Sequence, residues 1–199
     1  MAELSLAPFA LFCLIATATP GPNNMINLAQ GMRVGFWRAL PFAVGTGFGV
    51  GSLLFVVALG LGAAAAASPI VSLVMRVATG LYLLYLAWKI ATSAPMGEST
   101  PGAALGFWGG IGFQLINPKS WAAAMAMATT YLPPSPSIAA ALLAAAIFCV
   151  IAWATQPAWI GFGRAIRQLL SDPRKARVIN YALAALLLIT TLPFLVIRD

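Results

Sequence analysis

The chain has 199 residues, 61% of them hydrophobic and 8% charged, with a formal net charge of +7 and no histidine. Soluble domains carry about a quarter charged residues, so this composition, with a mean hydropathy of +0.93, points to an integral membrane protein. Haem, histidine-based metal sites and Ser-His hydrolysis are excluded, and neither an enzyme nor a cofactor is expected.

A helix needs roughly 20 apolar residues to cross a hydrocarbon core of about 30 Å. Six such spans are expected, at Leu4–Met32, Ala39–Gly62, Pro69–Ala91, Ala103–Met127, Ile138–Gly161 and Val178–Ile197. Little is left over for a soluble domain, and residues 1–199 read as a single transmembrane domain. The start Met-Ala-Glu-Leu-Ser lacks a basic region, so no cleaved signal peptide is expected.

The first span is interrupted by Thr19-Pro20-Gly21-Pro22-Asn23-Asn24. Pro22 suits the first position of a restarted helix, where its missing N–H is harmless, and Gly21 supplies backbone freedom. The N–H groups of Asn23, Asn24 and Met25 then lack helical partners. The second span is glycine-rich, and Gly31/Gly35 before it, with Gly45/Gly49 and Gly47/Gly51 within it, follow a spacing that permits close helix packing and also suits a homodimer. Arg76 falls inside the third span, where it either lines a pathway or snorkels to the surface.

The fourth span is interrupted at Asn117-Pro118-Lys119, with Asn117 a good N-cap and Pro118 a good first residue. The N–H groups of Lys119, Ser120 and Trp121 are expected to be free. Gln114 precedes this break. In the fifth span Gln156 sits before Pro157; it either lines the pathway or is satisfied by the carbonyl that the proline frees. Asn180 is a polar residue of the sixth span. Cys13 and Cys149 fall mid-span and read as small packing residues. Trp37, Trp88, Trp108 and Tyr131 lie near span ends as interface anchors.

Basic residues orient the chain. Arg33, Arg38, Lys89, Arg164, Arg167, Arg174, Lys175 and Arg177 fall on one side, and Arg198 alone on the other. The positive-inside rule puts the basic loops in the cytoplasm and both termini outside. The positive charge is thus an orientation device, and nucleic acid drops out as a partner. The lipid bilayer remains.

Six spans divide into two sets of three, residues 1–97 and 98–199, and an odd number inverts the second set. The expected fold is therefore all-α, six transmembrane helices as two inverted three-helix repeats, with helices 1 and 4 broken. Each break lies about 12 residues (~18 Å) beyond Pro8 or Leu105, near the midplane. Paired discontinuous helices are a transporter plan. Simple proline kinks are the plainer reading.

Two helix N-termini facing one another would favour an anionic group. Lys119 would add a full charge, and Asn23, Asn24 and Asn117 amide donors and acceptors. A charge at the bilayer centre costs about 2.5–3.5 kcal/mol on insertion scales, so it usually has a role. The acids Glu3, Glu98, Asp172 and Asp199 all lie in termini or loops. A site with cations and amides but no carboxylate suits a neutral molecule that bears a carboxylate, or an anion.

The Thr19-Pro20-Gly21-Pro22 signature, the glycine-rich second span after Gly31-x-x-x-Gly35, and Gly112-Phe113-Gln114-Leu115-Ile116-Asn117-Pro118-Lys119 occur in this order over nearly the whole chain. The sequence resembles the lysine-exporter superfamily (LysE type, with its homoserine/threonine-efflux branch). The resemblance implies a bacterial inner-membrane exporter of amino acids or related compounds, energised by the membrane gradient, with Pro20, Gly21, Pro22, Asn117, Pro118 and Lys119 as functional positions. Branches that export basic amino acids would be expected to offer an intramembrane acid, and none is present, so the resemblance points to a neutral amino acid. A coupling proton would need a titratable group, and Lys119 is the deep candidate. A passive channel for small solutes or ions and a membrane scaffold without transport are the competing functions.

Overall fold

The computed structural model describes residues 6–60, 104–169 and 173–196, with positions 70, 73, 74, 77, 80, 81, 84, 85, 87, 88, 91 and 92 between them. Among the described residues the chain forms seven extended helices and no strand: α1 (Leu6–Ala18), α2 (Pro22–Arg33), α3 (Phe36–Ala58), α4 (Phe107–Ile116), α5 (Pro118–Tyr131), α6 (Ile138–Leu169) and α7 (Pro173–Val196). The first expected span is thus α1 and α2, and the fourth is α4 and α5. The fifth runs on to Leu169, and the sixth starts at Pro173 rather than Val178. Arg76 and Lys89 lie outside the described residues.

Local chemistry sets the boundaries. Pro20 offers no N–H and pushes Thr19 away from helical geometry, which ends α1. Pro22 then occupies the start of α2. Gly35 has φ 84°, in the left-handed region that favours glycine, and turns the chain between α2 and α3. Asn117 separates α4 from α5 with extended φ −81° and ψ 106°, and its side chain accepts from the Lys119 N–H.

Helices α3 and α6 are long and apolar enough to cross a membrane. Large apolar side chains stand exposed on α1 (Leu11, Ile15), α3 (Phe48, Val56), α4 (Trp108, Leu115) and α6 (Leu142, Val150). Such a surface suits lipid rather than water. Trp37, Trp88 and Trp108 are exposed, as anchors would be. Cys13 and Cys149 are both free and buried, in keeping with packing roles.

Two apolar layers hold the helices together. One joins Phe9 and Cys13 of α1, Val50 to Ala58 of α3, Ala124 and Met127 of α5, and Ala141 to Ala152 of α6. The other joins Met25 to Met32 of α2 with Phe42, Ala87, Phe113, Leu183 and Ala184. Between the layers lie the buried polar residues Thr17 and Asn23, Thr46, Gln114 and Ser120, and Gln156, while Asn27 and Gln30 stand within the second layer.

Glycine permits the closeness of this packing. A Cβ at Gly31 would overlap the Ile160 carbonyl of α6, and one at Gly163 the Leu28 carbonyl of α2. Gly45 meets the Phe107 carbonyl, Gly47 the Trp153 ring and Gly51 the Ala145 carbonyl at 2.9 Å. Gly31, Gly45, Gly47 and Gly51 thus pack within one protomer, while a Cβ at Gly35 would meet nothing within 4 Å. Gly31→Ala is expected to lower stability by roughly 1–3 kcal/mol through overpacking. Gly112→Ala, whose Cβ would meet nothing within 4 Å, should be neutral or gain up to ~1 kcal/mol from helix propensity. Thermal unfolding in detergent compares the two.

Candidate functional site

At the first break the free carbonyls of α1 are met by side chains. Thr19 returns to the Ile15 carbonyl through its N–H at 2.9 Å and its hydroxyl at 2.5 Å. The Asn24 amide donates to the Thr17 carbonyl at 3.0 Å and the Thr19 carbonyl at 2.8 Å. The Lys119 ammonium reaches across from the second break to the Thr19 carbonyl at 2.6 Å and the Pro20 carbonyl at 3.5 Å. The two breaks therefore meet. Gly21 has extended backbone (φ −171°), which any residue can adopt, so conformational freedom is not its contribution. Its missing Cβ leaves room for Lys119, whose Cδ and Nζ would lie 2.8 and 2.9 Å from it.

The expectation of free N–H groups holds for one break only. Asn117 takes up its own helix start: its side chain accepts from Lys119 N at 3.1 Å and its carbonyl from Ser120 N at 3.0 Å and Trp121 N at 3.3 Å. At the first break Met25 N donates to the Gly21 carbonyl at 3.0 Å. The N–H groups of Asn23 and Asn24 remain without a partner among the described residues. A polar side chain at the cap explains the difference, since Gly21 has none to offer.

Asn23 is the centre of a buried amide network. Its Nδ2 donates to Gln156 Oε1 at 2.7 Å, and its Oδ1 accepts from Thr46 Oγ1 and from Gln114 Nε2, each at 3.2 Å. Ser120 Oγ donates to Gln114 Oε1 at 2.7 Å, so the network extends into α5. Gln156 Oε1 also accepts from Asn27 Nδ2 at 2.7 Å, and Gln156 Nε2 donates to the Thr17 carbonyl at 3.4 Å. Gln156 therefore bonds across to α1 and α2 and lines the cavity between them.

These residues surround a cavity of about 40 Å3, lined by Thr17, Gly21, Asn23, Asn24, Asn117 and Lys119, with Thr46, Gln114, Ser120 and Gln156. That volume admits water and is far below the roughly 300–1,000 Å3 of ligand pockets, so the site is closed in this conformation. Of the residues singled out from sequence, Gly21, Asn23, Asn24, Asn117, Lys119 and Gln156 line the cavity. Pro20 and Pro22 flank it through the chain, and Pro118 starts α5 beside it. Thr17 and Thr46, which also line it, were missed, as was Asn27, which joins the network through Gln156. The signal for Asn27 was its place one turn after Asn23, and for Thr46 a polar side chain in a span whose one other such residue is Ser52.

The family model described as LysE type translocator matches residues 14–197, which take in both breaks and every residue of this cavity. The chain belongs to the LysE type translocator family. Members are transporters, not enzymes. The chain is 34% identical over 122 residues to the "Cysteine/O-acetylserine efflux protein" of Salmonella choleraesuis (strain SC-B67), a match covering 60% of this chain and 61% of that one. It is 27% identical over 191 residues to the protein of the same name from Shigella flexneri serotype 5b (strain 8401), covering 94% and 95%. The protein of that name from Escherichia coli O139:H28 is 27% identical over 192 residues, covering 94% and 96%. The chain thus spans about three fifths of the length of the Salmonella relatives it matches. No solved structure matches it.

The meeting of the two breaks can be tested by a double-mutant cycle. Gly21→Ala is expected to cost about 1–2 kcal/mol, because its Cβ displaces the Lys119 tip from the Thr19 carbonyl. In a Lys119→Ala background the same change should cost far less. Equal costs in both backgrounds, read from thermal unfolding in detergent, would show that the two sites are independent.

Proposed function

We propose that the translocator is a secondary exporter of small neutral amino acids, working by alternating access across the bacterial inner membrane. The observation that carries this reading is the Lys119 ammonium set beside an amide cluster and main-chain carbonyls, with no carboxylate in the cavity. Both charges of a zwitterion have counterparts there. A substrate carboxylate fits Lys119 and the N–H groups of Asn23 and Asn24, at the positive end of α2. Its ammonium fits the Thr17 and Thr19 carbonyls and the oxygens of the Asn23 and Gln156 amides. Short polar side chains, as in the cysteine and O-acetylserine of the relatives' names, suit so compact a site.

Pro20, Pro22 and Pro118 act here through the backbone, by keeping the helices open at the site. Asn117 positions Lys119 by capping α5. In this reading α1 with α2 corresponds to α4 with α5, residues 1–97 and 98–199 are the inverted halves, and the halves rock about the cavity. Arg33 and Arg167, in contact at 3.5 Å through the Arg33 carbonyl, mark the cytoplasmic end, which leaves both termini outside. Lys119 is the group to which a coupling proton would go. The closed cavity favours a carrier over an open channel.

In proteoliposomes the protein should exchange labelled O-acetylserine, cysteine or another small neutral amino acid against the unlabelled compound, with saturation. Lys119→Met should reduce this counterflow roughly tenfold or more, in line with one charge-assisted hydrogen bond at about 1.5–3 kcal/mol. Flux that neither saturates nor exchanges would indicate a channel. No flux across a broad panel would refute transport of this class.

A further inference from the structure

On α2 the residues Asn23, Asn27 and Gln30 follow at spacings of four and three, so they share one face of the helix. Asn23 lines the cavity, while Asn27 and Gln30 continue the face toward the end that carries Arg33. Asn27 is 0% and Gln30 7% exposed. Each uses only half of its amide. Asn27 Nδ2 donates to Gln156 Oε1 at 2.7 Å, and Gln30 Oε1 accepts from the Leu105 N–H at 2.8 Å. Asn27 Oδ1 and Gln30 Nε2 are buried with no partner among the described residues.

Turning either amide over does not help. It would set Asn27 oxygen against Gln156 Oε1, or Gln30 N–H against the Leu105 N–H. Buried polar atoms are nearly always bonded, and one left unpaired destabilises the fold where an apolar side chain of the same shape would not. Two such atoms one turn apart, an acceptor and a donor, therefore point to a conformation in which they are used. Leu105 precedes α4 and packs on the apolar layer around α2, so the Gln30 bond ties the start of α4 over this face.

We infer that Asn27 and Gln30 form a second polar station between the cavity and the basic end, where a small polar amino acid pauses on its way to Asn23. The Gln30–Leu105 hydrogen bond is the clasp that closes it. In the open form Leu105 leaves, and Asn27 Oδ1 and Gln30 Nε2 bond to water or to the ammonium and carboxylate of the passing molecule. The station rests on the exporter reading, and its test separates the two.

Gln30→Cys and Asn27→Cys are exposed, in right-side-out and inverted vesicles, to a membrane-impermeant maleimide. The parent chain, whose two cysteines are buried, sets the background. Arg38→Cys and Ser135→Cys, both at exposed positions, report the two sides. The introduced cysteines should react severalfold faster than background from the side that labels Arg38→Cys, and excess O-acetylserine should slow them. Gln30→Met and Asn27→Leu, matched in shape but without the amide, should slow export severalfold while leaving the unfolding temperature unchanged or higher. Labelling at the background rate, labelling from the Ser135→Cys side, or export at the parent rate by Gln30→Met would each overturn the station. A parent chain that transports nothing would instead remove the exporter reading, while the labelling pattern would still decide the polar route.

Discussion

An interrupted helix inside a membrane leaves backbone carbonyls and N–H groups that lipid cannot satisfy, and every other feature here follows from how this chain meets that demand. The carbonyls that end α1 are taken by Asn24 from α2, Lys119 from α5 and Gln156 from α6. Three elements are thereby fixed around one point by the same bonds that make the break tolerable. The side chains that do this are also those that line the cavity, so stability and ligand chemistry share one set of atoms. Loss of Gln156 would leave the buried amides of Asn23 and Asn27 without their acceptor, a larger penalty than the bond alone.

The apolar layers on either side of the network give it a low dielectric and hold it at one depth of the bundle. Within that setting a carboxylate-free site can still accommodate both charges of an amino acid, because carbonyls and amide oxygens accept from an ammonium group. Lys119 illustrates the economy of the arrangement. Its ammonium meets the carbonyls that end α1, and in the proposed exporter it would meet a substrate carboxylate once those bonds are released.

Proline made the breaks legible in the sequence: no other residue removes an N–H and fixes φ, so Pro20, Pro22 and Pro118 located three helix ends closely. Hydropathy located the spans but not their ends, since α6 continues two turns past Gly161 with a polar, basic sequence that no apolar count would include. The role of Gly21 was misread for a related reason. Backbone freedom is a local property, whereas the space Gly21 leaves for Lys119 depends on a residue far along the chain. The same holds for Thr46, which became part of the network only when α3 packed against α2. Asn117 is a local case: the cap legible in the sequence itself consumes the donors expected to be free.

Helix α2 is enclosed along its length, from Pro22 to Met32. Its contacts with α6 run carbonyl to glycine at both Gly31 and Gly163, with no side chain between to yield. Close-packed interiors transmit displacement instead of absorbing it. The pair must then move as one rigid beam: whatever tilts α2 at its amide end swings the far stretch of α6, and a restraint clamped on that stretch would hold α2 without touching the cavity.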